Sequence, residues 1–346
     1  MIQILEALEW LKLQKTLPVI DVRSPGEYAA GHIPGAVNLP LFDDEERKRV
    51  GIIYKNSGRE AATFEGLGFV KIKLQDYVKQ ARRIAPGRKA MLHCWRGGMR
   101  SESMAWLLSL AGFDIFLLKD GYKAYRKYIR ESWNKPLSLI VISGKTGSGK
   151  TEILQVIRQK GYQVLDLERN AHHKGSAFGA IGEDPQPTNE QFENNLANQW
   201  LNFDDQLPVF TEDESRFIGA VNIPEPLYVK MQSALTVNIE LSRSLRTVRL
   251  IKDYASFPKE TLIESILKID RRLGGQHVKT AIEAIENKDF ETAIEIVLYY
   301  YDKTYAYDLQ RKASNNITTI ETHTIDAIKN TEKILEILAE MEMIKK

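Results

Sequence analysis

Two short runs hold the residue types best suited to chemistry. The first is His93-Cys94-Trp95-Arg96-Gly97-Gly98-Met99-Arg100-Ser101. Gly97 and Gly98 let the backbone curl without a Cβ clash, so successive N–H groups can turn inward as an anion cradle. Arg96 and Arg100 bring guanidinium forks that match the oxygens of a tetrahedral anion. Inward amides and positive charge favour thiolate, the nucleophilic form of cysteine, which makes Cys94 the candidate catalytic residue. The bland alternative is a buried inert thiol, but glycine-rich, arginine-bearing loops are poor core material. The second run, Gly144-Lys145-Thr146-Gly147-Ser148-Gly149-Lys150-Thr151, fits the P-loop pattern G-x-x-x-x-G-K-[ST] in full. In that pattern the amides of Gly144, Gly147, Ser148 and Gly149 cradle phosphates. Lys150 reaches the outer phosphate and Thr151 is placed to hold Mg²⁺. The acids to accompany such an ion are Asp166, Glu212 and Asp213, the last two followed by Glu214; a solvated acidic turn is the plainer reading of each.

Bulk properties limit what these runs can serve. A chain of 346 residues with 43% hydrophobic and 27% charged residues is ordinary globular material, long enough for two domains. A formal charge of +2 excludes a polybasic binder, so any contact with RNA has to come from a local patch. Arg243, Arg246 and Arg249 recur at three-residue spacing, followed by Lys252, and on a helix they form one basic stripe suited to nucleic-acid phosphates. Arg271 and Arg272 extend it; a solvated face is the alternative. Cys94 is the single cysteine, which excludes a disulfide framework and a multi-thiolate zinc site, and fits a reducing cytosol. It also leaves no second thiol to resolve an adduct on the first. No apolar run approaches the roughly 18 residues of a membrane span, and Met1–Glu6 lacks the basic start of a signal peptide, so a cytoplasmic protein is expected.

The elements that position both runs follow from local pattern. Leu17–Arg23, Ala90–Cys94 and Ile115–Leu118 read as strands, with helical spacing over 102–110 and 121–133. Strand and helix alternate, so residues 1–133 are expected to form an α/β domain with a mainly parallel sheet. Asn134-Lys135-Pro136 reads as a linker. A second domain, 137–346, opens with the strand Leu137–Ile142, the P-loop and the helix 152–159. Val164–Leu167 and Val209–Thr211 read as further strands. From Lys259 onward the pattern is mostly helical, ending in the amphipathic helix Ala327–Lys345.

The cysteine run resembles the loop of the rhodanese-like superfamily. Asp21-Val22-Arg23-Ser24-Pro25-Gly26-Glu27-Tyr28 and Gly31-His32-Ile33-Pro34-Gly35-Ala36-Val37-Asn38 are similar to that family's other hallmark. The resemblance implies that Asp21 and Arg23 buttress the loop, against the alternative of a surface salt bridge. One departure matters: the spacing is Cys-x5-Arg, longer than in typical sulfurtransferases of the family and equal to that of cysteine-based phosphatases. A longer loop admits a whole tetrahedral, phosphate-like anion. Gln191-Phe192-Glu193-Asn194, the stretch Glu212–Gly219, Ile223-Pro224 and the stretch Tyr300–Tyr305 widen the similarity. With the loop Cys94–Gly98 and the domain order, the chain resembles the bacterial tRNA 2-selenouridine synthase family: a rhodanese-like domain followed by a P-loop NTPase-like α/β domain with a helical C-terminal region. The resemblance implies conversion of a wobble 2-thiouridine in tRNA to 2-selenouridine through an S-geranyl intermediate. Geranyl diphosphate and selenophosphate would be the co-substrates, tRNA the partner and selenophosphate synthetase the suggested supplier. Cys94, Arg96, Gly97, Gly98 and Arg100 then belong to the selenophosphate site and the P-loop to the diphosphate, with Trp95 as a wall or stacking surface. The competing readings are a cysteine-based phosphatase, a rhodanese-type sulfurtransferase with an accessory nucleotide-binding P-loop domain, and a non-enzymatic regulatory module.

Overall fold

The computed structural model describes residues 1–311 and 316–344, and it divides into two units, Met1–Ser132 and Trp133–Lys346. The strands of the first are β1 (Ile2–Leu5), β2 (Val19–Asp21), β3 (Val37–Asn38), β4 (Lys89–His93) and β5 (Asp114–Leu118). They form one parallel sheet in the order β1-β5-β4-β2-β3. A parallel sheet is covered on both faces by its crossover helices, which is why β4 is an unbroken apolar run over Ala90-Met91-Leu92, all fully buried. Chain order reverses between β2 and β4: the connection after β2 runs to one side and that after β4 to the other. The crevice this leaves at the strands' C-terminal ends is where open α/β sheets place ligands, and it falls at Cys94.

The second unit repeats the plan. Its strands β6 (Leu139–Gly144), β7 (Gln163–Leu165), β8 (Val209–Glu212), β11 (Leu235–Leu241) and β12 (Ile317–Thr322) form a parallel sheet in the order β12-β11-β6-β8-β7. A small antiparallel pair, β9 (Phe217–Ile218) with β10 (Val221–Asn222), stands apart. The P-loop leaves β6 at the point where strand order reverses. One core lies against the sheet, around Ile140, Ile153, Phe210 and Ile334. Another lies within the helices after residue 258, around Leu262, Ile266, Ala281 and Val297. Each fully buried aliphatic side chain contributes roughly 1.5–3 kcal/mol to holding these layers together.

Several expected boundaries move. Trp133 packs in the second unit, its ring 5.4 Å from that of Trp200, rather than ending the first. The strand expected over Val164–Leu167 stops at Leu165, because the Asp166 side chain accepts from Arg169 N and caps the helix Leu167–Ala171. The region expected to be mostly helical contains β12, whose Ile317-Thr318-Thr319-Ile320 is β-branched throughout and pairs with β11. The last helix ends at Glu340. Lys345 and Lys346, included in the expected C-terminal region, and the Thr304 side chain lie outside the described residues.

Candidate functional site

In the first unit the loop is set by two glycines that meet back to back. Gly97 has φ +64° and Gly121 has φ +59°. A Cβ on Gly97 would stand 2.8 Å from Asp120 N, and one on Gly121 would stand 2.4 Å from both Cys94 O and Gly97 N. Tyr122 N donates to Cys94 O at 2.8 Å and Lys123 N to Trp95 O at 3.0 Å, so the start of helix Gly121–Ser132 clamps the loop from below. The amides of Trp95, Arg96, Gly97 and Gly98 donate to no protein group among the described residues. Four such donors in succession, leading into the N-terminus of helix Met99–Leu110, make an anion-binding concavity.

Cys94 directly follows β4, at the start of that loop, and is 3% exposed. The Ser101 hydroxyl stands 3.2 Å from its sulfur, and the sulfur stands 3.8 Å from Gly98 O. The thiol therefore has two polar neighbours while the rest of the residue packs into the hydrophobic core of the first unit. Arg96 is exposed and has no ion-pair partner among the described residues. Arg100 differs from expectation: its fork is taken by Glu27, at 2.5 and 3.3 Å. Burial pushes the Glu27 carboxyl up, but the hydrogen bonds and charge of Arg100 prevail and hold it below its ordinary value. Glu27 also accepts from Ser24 N, so Arg100 ties the loop to the cap of helix Pro25–Ala30.

Beneath the loop, Asp21 and Arg23 are both fully buried and joined side by side, with Nη2 to Oδ2 at 2.6 Å and Nε to Oδ1 at 3.0 Å. A surface salt bridge is thus excluded. Arg23 also donates to Gly31 O at 2.7 Å and lays its guanidinium 3.8 Å from the Tyr122 ring centroid. Trp95 packs on the same tyrosine, 5.7 Å between centroids. His93 Nε2 stands 3.7 Å from Asp21 Oδ2. Burial is the main cause that pushes His93 below its ordinary value, against the pull of Asp21, which raises it. Burial also pushes Asp21 up, but attraction to His93 and the bonds and charge of Arg23 bring it below the usual range.

In the second unit the P-loop has the shape its sequence requires. Gly147 and Gly149 have φ +81° and +89°. The amides of Thr146, Gly147 and Gly149 have no protein acceptor among the described residues. Lys150 Nζ donates to Gly144 O at 2.9 Å, and Thr151 Oγ1 donates to Glu168 Oε2 at 2.7 Å. The Ser148 hydroxyl is buried without a partner.

The arginine stripe expected to face tRNA faces inward instead. Arg246 is 2% and Arg249 7% exposed, and both brace the P-loop. Arg246 Nη1 donates to Thr146 O at 3.1 Å, and its two terminal nitrogens bind Asp302 at 2.9 and 2.8 Å. Arg249 binds Glu152 and Ile325 O, both at 2.6 Å, and a Cβ on Gly149 would meet its guanidinium at 2.8 Å. Three-residue spacing did place the arginines on one face of helix Arg243–Tyr254, but that face is the packed one. Only Arg243 stays 41% exposed, paired with Asp302.

The acids divide by role. Asp166 is a helix cap that also pairs with Arg158, and Asp213 accepts from Ser143. Glu212 is buried; one oxygen accepts from Leu167 N at 2.8 Å and the other has no partner. Burial, then repulsion from Asp166 and Glu168, push it well above its ordinary value. Glu214 is raised in the same way, by burial and by Glu168, with which it shares a hydrogen bond. Sequence reasoning missed Glu168, the acid that touches Thr151; the apolar residue before it masks the position as strand end. Gly121 and Glu27 were also missed as parts of the cysteine site, and Ser101, which closes the run, was given no role of its own. Among the described residues no three His, Cys, Asp or Glu side chains cluster as a metal cage. Mg²⁺ commonly binds through few protein oxygens plus substrate phosphates, and the hard oxygens of Thr151 and Glu168 fit that mode.

Comparison with known proteins adds to this geometry. Residues 137–334 match the family model described as the tRNA 2-selenouridine synthase AAA domain, and residues 4–128 match the rhodanese-like domain. A tRNA 2-selenouridine synthase of Bdellovibrio bacteriovorus is 35% identical, covering 86% of this chain and 90% of the relative. Those of Shewanella halifaxensis and Nitrosomonas europaea are 36% and 34% identical, covering 87% and 86% of this chain and 91% and 90% of their own lengths.

Proposed function

The chain belongs to the tRNA 2-selenouridine synthase family, and from that premise we propose that it replaces the sulfur of wobble 2-thiouridine in tRNA with selenium, using two anion cradles for two phosphate compounds. The observation that carries this reading is the pairing of two separate runs of unengaged amides, one over the single cysteine and one leading to Lys150.

A thiocarbonyl sulfur is a poor leaving group, whereas an alkylated one leaves as a thiol. In the first step the thiouridine sulfur attacks C1 of geranyl diphosphate. The C–O bond breaks, and the diphosphate departs with the electron pair onto the P-loop amides and Lys150. In the second step selenide adds at C2 and geranyl thiol departs. Selenophosphate, supplied by a selenophosphate synthetase, lies in the Cys94 loop against Arg96 and the amides of residues 95–98. Attack of the Cys94 sulfur on phosphorus breaks the P–Se bond and frees selenide, and water then removes the phosphoryl group from sulfur. Asp21, Arg23 and His93 hold the loop in shape without touching substrate. Mg²⁺, held by Thr151 and Glu168, would neutralise diphosphate charge.

The test is mass spectrometry of tRNA nucleosides after incubation with both co-substrates. Cys94→Ala is expected to lower selenation by at least about 10³-fold and to leave geranyl transfer largely intact. Loss of both activities in a folded variant would refute the division of labour. The Cys-x5-Arg-Ser spacing also suits a phosphatase, and hydrolysis of p-nitrophenyl phosphate at enzymatic rates would favour that reading.

A further inference from the structure

The P-loop borders an apolar cavity. Thr146, a residue of the loop, also lines a cavity of about 50 Å³. Most of the remaining wall is hydrocarbon: Leu250 on helix Arg243–Tyr254, Ile266 on helix Lys259–Leu267, Ala293 and Val297 on helix Phe290–Arg311, and Phe178. Polar groups at its margin are already engaged; the Tyr301 hydroxyl accepts from Ala177 N at 2.7 Å and Ser176 Oγ from Phe178 N at 3.2 Å. Packed interiors rarely keep voids larger than one water. By the same measure a water needs about 10–15 Å³ and two or more polar partners. This void is several times that size and offers almost no partners, so carbon suits it better than water does. A nucleobase suits it no better, because each of its unpaired polar atoms would cost about 1–3 kcal/mol on burial.

We propose that this cavity receives the hydrocarbon tail of a molecule whose diphosphate the P-loop grips, and that the loop therefore takes prenyl diphosphates in preference to nucleotides. This rests on the reading above, that the P-loop holds a diphosphate, and it adds where the tail goes.

Isothermal titration of the full chain with inorganic diphosphate, dimethylallyl diphosphate, geranyl diphosphate and ATP tests it. Affinity is expected to rise at least about tenfold from the dimethylallyl to the geranyl compound, as added apolar surface leaves water. ATP is expected to bind no tighter than inorganic diphosphate. Equal affinity for the two prenyl compounds, or ATP binding tighter than geranyl diphosphate, overturns the proposal. Ala293→Phe, which fills the void, is expected to weaken geranyl diphosphate at least about tenfold and to leave inorganic diphosphate unchanged. A folded variant that binds the geranyl compound as before also overturns it. Should that variant misfold, the tail-length series on the unsubstituted chain decides alone. Lys150→Ala separates the two layers of argument: if no diphosphate binds, or if this change weakens none of them, the P-loop reading itself is wrong.

Discussion

Gly121 shows how little room the cysteine loop has. Its positive φ and the 2.4 Å approach that a Cβ would make to Cys94 O and Gly97 N act together. Gly121→Ala is expected to lower the unfolding free energy of the first unit by about 2 kcal/mol or more, read from urea denaturation. Selenation should fall with it, because the amides of residues 95–98 lose their arrangement. The buried pair beneath the loop makes a second prediction. His93 is held below its ordinary value of 6.5, so the unfolded chain binds the proton more readily than the folded one. Its contribution to stability is complete above about pH 6.5 and falls as pH drops below that. Asp21 is also depressed, and its contribution is lost only as pH falls below its ordinary 3.8. Urea midpoints between pH 7.5 and 5 should therefore decline, and His93→Gln should flatten that decline. Cys94 at the head of the loop, the loop glycines and the Asp21–Arg23 pair were legible in sequence because each sits inside a contiguous motif. Gly121 and Glu168 were not, since each meets its partner only through folding, across sequence gaps of 27 and 17 residues.

At the scale of elements, periodicity identified faces correctly and their surroundings incorrectly. Spacing put Arg243, Arg246 and Arg249 on one side of a helix, but a basic stripe reads alike whether it faces phosphates or a buried acid. Asp302, which decides the matter, lies 56 residues beyond Arg246. Arg246→Ala should destabilise the second unit by about 3 kcal/mol, because Asp302 loses its buried two-pronged partner and keeps only the exposed Arg243, while Thr146 O loses its donor. Arg243→Ala should cost under about 0.5 kcal/mol, as expected of an exposed pair. Thermal melts of the two variants check the contrast, and equal shifts would argue against the bracing role. The strand β12 was hidden for a related reason. A short edge strand after long helices draws its pairing from β11, 81 residues away by register, and local pattern carries no trace of that partner.

At the scale of the whole molecule, the start of the second sheet was legible because the linker Asn134-Lys135-Pro136 gives way to a new apolar strand, β6, that runs into a glycine-rich turn, whereas the mostly exposed β1 that opens the first sheet carries no such signal. The first unit has its own core, from Ile20 through Leu92 to Ile115. Residues 1–132 expressed alone are therefore expected to unfold in one cooperative urea transition, followed by the fluorescence of Trp10, the fully buried one of the three tryptophans Trp10, Trp95 and Trp106. A broad, probe-dependent transition would show that the unit needs the rest of the chain.

One helix of the second unit, Arg243–Tyr254, does two jobs a few residues apart. Arg246 and Arg249 brace the loop, and Leu250 and Tyr254 wall the cavity. At 1.5 Å of rise per residue, the brace at Arg246 and the wall at Leu250 are separated by about 6 Å along a rigid rod. The rod works as a ruler, because the chain cannot move the P-loop and the cavity apart without rebuilding the helix. Under the proposal above, selection for ligands of a different length would have to act on the other walls of the cavity, to which helix Phe290–Arg311 contributes Ala293 and Val297.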